Sequence, residues 1–450
     1  MDNNTERELI GGCGMSFLKE IEKRILVHDG SKGYLLQKMG LKGGECGELW
    51  NLTNQDAVRE VHRAYLEAGS DVLQTNTFPG NRIHLERFGL GDKTYEINYW
   101  GARLAKEVAG SRAFVSASIG PAGLLFEPLG DLTFENAYEV YYEQVKALAD
   151  GGADIINFET FTDLTELRTA FLAARDASDL PVICSLAFEN NGRTLMGTDA
   201  FIAVTVLKSL GVDMIGVNCS FGPEHMTGIV ESMYKAGGGF LSVKPNAGLP
   251  SVSDNVVTYN ESPDHFAELS SAFVNYGARL IGGCCGTTPD FIRALKERIS
   301  HLEPVPGQER KAGYITSDVK HIDVAYLDDA NIYRLDAAID PAVSEALEKN
   351  DISWTEEAAL DLAAEGYDAI LVNVDSVGGD TGLLANVIDR LQWYVKDPFI
   401  IQTDNAAALE SALKIYRGTA GVVLNDRSDD EIRKVAEKYG GVIISRSIAG

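Results

Sequence analysis

From residue 25 to about residue 300, apolar runs of strand length alternate with stretches in which apolar residues recur every three or four positions. The runs are 25–30, 71–76, 114–119, 155–160, 181–188, 214–219, 240–246 and 278–285. They are continuously apolar rather than alternating, the pattern of parallel strands buried on both faces. Between them lie helical patterns such as Val58, Val61, Tyr65 and Ala68, with Asn54 placed to cap the helix. Eight strand–helix units in this length predict an α/β chain folded as a (β/α)8 TIM barrel, whose typical size is about 250 residues. An open doubly wound sheet is the alternative, but no glycine-rich phosphate-binding fingerprint follows the first run.

The pattern breaks at a proline-containing, charged stretch, 304–311, which reads as a linker. Beyond it the runs 369–374, 399–403, 421–425 and 442–445 alternate with helical patterns. They predict a smaller α/β domain of about five strands, resembling a half barrel. The expected organisation is an extension (1–24), a barrel (25–303), the linker (304–311) and the smaller domain (312–450).

Composition narrows the function. A hydrophobic content of 45% supports a large core, and a net charge of -26 argues against a nucleic-acid partner. No run of eighteen apolar residues occurs and the first residues are too polar for a signal peptide, so the expectation is a cytoplasmic protein without a membrane partner. Six cysteines are too few for a disulfide scaffold, and Cys284 and Cys285 are adjacent, which makes a bridge between them awkward. Metal or redox chemistry by free thiols is the leading explanation.

In a barrel the residues that close the strands face the active site. Here they are Asp29, Asn76 with Thr77, Glu159, Cys219, Asn246, and Cys284 with Cys285. Three thiolates from two nearby strand ends favour zinc, and three protein ligands leave a fourth position open, the catalytic arrangement. A thiol substrate entering that position would be held as a thiolate at neutral pH. Cys184, inside an apolar run, reads as a small buried hydrophobe, and Cys13 and Cys46 are placed outside the metal site. Glu159 ends an apolar run and needs a task or a cationic neighbour.

The segment Gly283-Cys284-Cys285-Gly286-Thr287-Thr288-Pro289 resembles the signature of the homocysteine S-methyltransferase family, as found in the homocysteine-binding domain of cobalamin-dependent methionine synthase. Asp29-Gly30-Ser31-Lys32-Gly33, Thr75-Asn76-Thr77-Phe78, Phe158-Glu159-Thr160, Val217-Asn218-Cys219 and Pro245-Asn246-Ala247-Gly248-Leu249-Pro250 resemble its other motifs, in order. The resemblance implies a Zn2+-bearing barrel with Cys219, Cys284 and Cys285 as ligands and Asn246 beside the metal. It also implies that Asp29 and Glu159 bind the amino group of homocysteine, with Gly30, Asn76 and Thr77 near its remaining polar groups. Lys32 and Tyr34 depart from the pattern, since family members usually carry smaller or apolar residues there. The stretch 1–24 is not covered, and its Gly11-Gly12-Cys13-Gly14 reads as a flexible segment.

The tail more faintly resembles the first half of a pterin-binding barrel, through Glu365-Gly366-Tyr367-Asp368-Ala369, Asn373-Val374-Asp375, Thr403-Asp404 and Leu424-Asn425-Asp426. The second half is missing, so the expectation is a docking or homo-oligomerisation module. No Asp-x-His-x-x-Gly segment is present, which assigns any corrinoid (cobalamin) to a separate partner protein. The expected activity is methyl transfer to homocysteine from a methylated corrinoid protein, with a small methyl donor such as S-methylmethionine or a betaine left open. The alternatives are a demethylase component that passes a methyl group to a corrinoid protein, and a non-catalytic zinc or thiol sensor.

Overall fold

The computed structural model describes residues 16–248, 250–253, 256–309, 313–349, 354, 357–358, 360, 366–378, 381–424 and 429–444. Each of the eight predicted runs contains a strand: β1 (Leu26–Val27), β2 (Val72–Gln74), β3 (Phe114–Ile119), β4 (Ile155–Phe161), β5 (Val182–Leu186), β6 (Met214–Asn218), β7 (Leu241–Lys244) and β8 (Ala278–Ile281). They pair in parallel in sequence order, β8 returns to β1, and the single pair His28 and Val72 joins β1 to β2. The ring is thus the predicted (β/α)8 barrel rather than an open sheet.

A helix follows each strand: Gln55–Glu67, Thr94–Ala109, Phe134–Asp150, Leu164–Ala177, Ala200–Ser209, Pro223–Lys235, Pro263–Ser271 and Pro289–Ile299. The first buries Val58, Val61 and Tyr65 on one face, as the three-and-four spacing requires. Asn54 stands at its N-cap, but the Asn54 side chain makes no capping hydrogen bond. Asp163 and Asp199, which sequence patterning did not single out, do cap their helices, accepting from Thr165 N and Ile202 N.

The barrel interior is layered. At the amino-terminal ends of the strands, Leu26, Val72, Phe114, Ile155, Ile183, Met214 and Leu280 form an apolar floor. The helix Phe17–Lys23 closes this end, with Phe17 and Ile21 packed into the same cluster. Above the floor, Gly216 leaves no room for a side chain: a Cβ there would lie 2.4 Å from Ser185 Oγ. Toward the carboxyl ends the interior becomes charged, with Asp29, Lys32, Glu159 and Lys244 all buried.

The second domain is a five-stranded parallel sheet in sequence order: β9 (Ile332–Asp336), β10 (Ala369–Asn373), β11 (Phe399–Gln402), β12 (Gly421–Val423) and β13 (Val442–Ile444). Five strands match the expected number, but the position of β9 was not among the predicted runs, because Arg334 interrupts its apolar pattern. The remaining four fall on the predicted runs, whose ends at 425 and 445 lie outside the described residues. One face of the sheet meets helices; the other, with Leu371, Ile400, Val423 and Ile444, packs against the antiparallel pair Tyr314–Thr316 and His321–Asp323 through Ile315 and Ile322. The architecture is a smaller α/β domain on a parallel sheet, as predicted.

Candidate active site

Strand β6 delivers Cys219 and the loop after β8 delivers Cys284 and Cys285. Cys219 and Ser220 adopt positive φ (62° and 61°), as does Thr160 at the end of β4 (65°). Such backbone is strained for residues with a Cβ and concentrates at functional sites. The loop after β8 lies tight against β1 because its first two residues are glycines. A Cβ on Gly282 would come within 2.6 Å of His28 Cβ, and one on Gly283 within 2.3 Å of Thr287 Oγ1. The turn after β7 then fixes both cysteines: Cys284 N donates to Pro245 O (2.8 Å), Cys285 N to Asn246 Oδ1 (3.1 Å) and Ala247 N to Cys285 O (2.9 Å).

The three sulfurs lie within 4.8 Å of one another, with Cys219 and Cys285 at 3.9 Å. A tetrahedral zinc with bonds of about 2.3 Å to sulfur separates its ligands by about 3.8 Å, so the donor set fits that ion in type and spacing. The protonation balance agrees. Hydrogen bonds from the Cys284 and Cys285 thiols hold the Cys219 thiol down at about 3, and the same contact with Cys219 pushes Cys284 and Cys285 up. Three sulfurs this close carry three negative charges only beside a cation. Asn218 Nδ2 sits 3.7 Å from Cys284 Sγ and is itself held by Thr160, whose Oγ1 accepts from it at 2.7 Å and whose N donates to Asn218 Oδ1 at 2.7 Å. Cys184 is fully buried in β5 and Cys46 pairs with Glu48 Oε2 at 3.4 Å, both apart from the triad. Cys13 lies outside the described residues.

The triad lines a cavity of about 400 Å³ that also receives Lys32, Gln74 and Glu159. Glu159 is held from three sides: Gln74 Nε2 donates to Oε1 at 2.5 Å, Ser118 Oγ donates to the same oxygen, and Lys244 Nζ donates to Oε2. Lys244 also donates to Gln74 Oε1 at 3.0 Å. Asp29 is fully buried and is not among the residues that line the cavity. Its Oδ2 accepts from Lys32 Nζ (2.5 Å) and Gln74 N (2.9 Å), and its Oδ1 lies 3.1 Å from His28 Nδ1. Burial alone would raise the Asp29 carboxyl, but the Lys32 ammonium and the His28 ring outweigh it and hold it down at about 2.

The other expected residues sit in the walls. A Cβ on Gly30 would lie 2.6 Å from Thr287 Oγ1, so only glycine lets the first loop pass the loop after β8. Thr77 Oγ1 donates to Ser118 O (2.8 Å), and Asn76 Nδ2 to Gly47 O (3.0 Å) and Asn51 Oδ1 (3.1 Å). Asn246 bonds Cys285 N, as above, and lies against Cys219. Sequence reasoning missed Lys244, Gln74 and Ser118. The signal for Lys244 was present: a lysine ending the apolar run of β7 is as costly to bury as Glu159 ending β4, and each explains the other.

A family model described as homocysteine S-methyltransferase matches residues 26–299. The methionine synthase of Mycobacterium tuberculosis (strain ATCC 25618 / H37Rv) is 31% identical over 431 residues, covering 90% of this chain and 36% of that protein. The methionine synthase of Mycobacterium leprae (strain TN) is 34% identical over 319 residues, covering 66% of this chain and 26% of that protein. The chain thus matches between about a quarter and about a third of the length of these curated relatives. Among solved structures, the metallated form of the homocysteine methyltransferase MmuM from Escherichia coli superposes with a TM-score of 0.53 at 25% identity, covering 62% of this chain and 97% of that one. With the family match running through all eight strands and the cysteines that close β6 and β8, the chain belongs to the homocysteine S-methyltransferase family.

Proposed function

We propose that this chain transfers a methyl group to the thiol of homocysteine, forming methionine, with zinc held by Cys219, Cys284 and Cys285. The observation that carries the reading is the three-sulfur set opening onto a cavity lined also by the Lys32 ammonium and by the carboxylates of Glu159, Glu48 and Glu45, of which Glu159 is the most buried. Zinc bound there would lower the pKa of a coordinated thiol, supply a thiolate at neutral pH and hold it in place.

The chain's own residues do the rest. Asn218 and Asn246 orient the cysteines through Cys284 Sγ and Cys285 N. Glu159 faces the amino group of the acceptor, its charge balanced from behind by Lys244. Asp29 acts at one remove, by holding Lys32. Gly30 lets the first loop approach, and Thr77 and Asn76 stiffen the wall.

The donor in this reading is a methylated corrinoid on a separate protein. In its support, Phe78, Phe88, Leu125 and Leu129 are exposed on loops at the carboxyl ends of the strands, an apolar rim suited to docking. The test is to incubate the zinc-loaded protein with methylcobalamin and homocysteine and to measure methionine. Formation that stops in the Cys219→Ala and Cys285→Ala variants, with loss of bound zinc by mass spectrometry, is expected. Absence of methionine from methylcobalamin, a methylated corrinoid protein and small methyl donors alike would overturn the reading.

A further inference from the structure

The first loop carries a lysine whose surroundings exceed what a structural ion pair needs. Lys32 opens the helix Lys32–Lys38, yet its chain turns back toward β1 and its side chain is only 6% exposed. Its Nζ donates to Asp29 Oδ2 (2.5 Å) and Gly30 O (3.2 Å) and stands 5.4 Å from the centroid of the Tyr65 ring. Tyr65 is itself fixed, its hydroxyl donating to Ser31 O and Thr287 O at 2.9 Å each. The ammonium is therefore boxed by a carboxylate, a carbonyl and an aromatic face, and among the described residues one of its three N–H groups is left for a ligand. That group belongs to a residue lining the same cavity as the cysteine triad.

The opposite pole of the cavity is Glu159, with three donors on an acceptor that takes about four. Lys32 is the one lysine or arginine among the residues lining this cavity, and Glu159 is the most buried of its three glutamates; together with the sulfur set they complement a zwitterion bearing a thiol. We infer that Lys32 binds the carboxylate of the acceptor and makes this enzyme selective for a thiol α-amino acid over a thiol that lacks the acid group; this rests on the acceptor-thiol reading given above. Asp29 is then a positioning residue. It aims the ammonium and lowers the desolvation penalty of burying it, without touching the acceptor.

A lysine that merely neutralised Asp29 would give a different result from one that reads a ligand, and calorimetric binding separates them. The zinc-loaded protein is titrated with homocysteine, with homocysteine amide, and with 3-aminopropane-1-thiol, which has the amine but no acid group. Wild type is expected to bind homocysteine 10- to 100-fold more tightly than either analogue. In Lys32→Met the homocysteine affinity falls to that of the amide while the two analogues are unchanged; Lys32→Arg keeps part of the preference. The Asp29→Asn/Lys32→Met variant, which strands no carboxylate, reproduces the loss if the fold is intact. Equal binding of homocysteine and its amide by wild type, or an equal drop for all three thiols in Lys32→Met, overturns the inference. Tight, carboxylate-dependent binding without methyl transfer from any donor would sink the proposed activity and leave this inference standing. Failure of homocysteine to bind at all would sink both.

Discussion

Arg168, on the helix that follows β4, donates its guanidinium to the carbonyl oxygen of Tyr416 in the second domain. A second bond reaches Leu413 O at 3.2 Å, in the last turn of the helix Ala406–Ile415, where the helix dipole favours a cation. The group is fully buried, and burial lowers its pKa to about 10. This bond, with the pair Ser209 Oγ and Thr419 Oγ1 at 3.1 Å, joins the two domains into one packed body.

Removing that cation leaves two carbonyls without their donor. Arg168→Met is expected to lower stability by about 2–4 kcal/mol, since each buried unsatisfied group costs about 1–3 kcal/mol. The same change is expected to split a single calorimetric transition into two, with the barrel the later to unfold. One unchanged transition would show that apolar contact alone couples the domains.

The Lys244 and Glu159 pair offers a double-mutant cycle. Each is 3% exposed or less, so Lys244→Met leaves a carboxylate uncompensated and is expected to cost about 3–5 kcal/mol in urea unfolding. Adding Glu159→Gln to it is expected to restore much of that loss. Additive losses would mean that Gln74 and Ser118 carry Glu159 without the lysine.

The legibility of this site was uneven for a physical reason. Strand ends announce themselves by where apolar runs stop, so Cys219, Glu159, Asn246 and the Cys284 and Cys285 pair were readable, as were the strands that carry them. Asp29 was equally readable, but its direction was not. Whether a carboxylate faces a cavity or a neighbour depends on Lys32 three residues later, whose chain folds back over the first loop. Likewise β9 was hidden, because Arg334 breaks its apolar pattern while the backbone still pairs along all of β10.

Glu166 predicts a pH dependence away from the metal. Burial raises its carboxyl from an ordinary 4.5 to about 7, although the Tyr141 hydroxyl and Ala122 N donate to it at 2.6 and 2.7 Å. Because the folded-state value lies above the unfolded one, its contribution is complete below pH 4.5 and is lost as pH rises through about 7. That amounts to about 3 kcal/mol at most. Glu166→Gln is expected to flatten this part of the decline in unfolding free energy between pH 5 and pH 8. An unaltered slope would assign the decline to other groups.

The apolar rim predicts how the donor arrives. Leu125→Glu with Leu129→Glu, at positions 51% and 54% exposed, is expected to reduce kcat/KM for a protein-borne methyl corrinoid at least tenfold. Turnover with free methylcobalamin is expected to stay within about twofold, since neither side chain supports the fold. Equal losses with both donors would remove the rim from docking.

The joint between β1 and β2 is the thinnest in the ring, a single residue pair, and it is sewn at both ends by aspartates. Asp71 Oδ2 accepts from Val27 N at 2.9 Å near the floor, and Asp29 Oδ2 accepts from Gln74 N at 2.9 Å near the mouth. The carboxylate that aims Lys32 is therefore also a stitch in the barrel wall. Asp29→Asn takes the charge out of one of the two stitches, and faster amide exchange along 26–29 and 72–74 is the expected mechanical record.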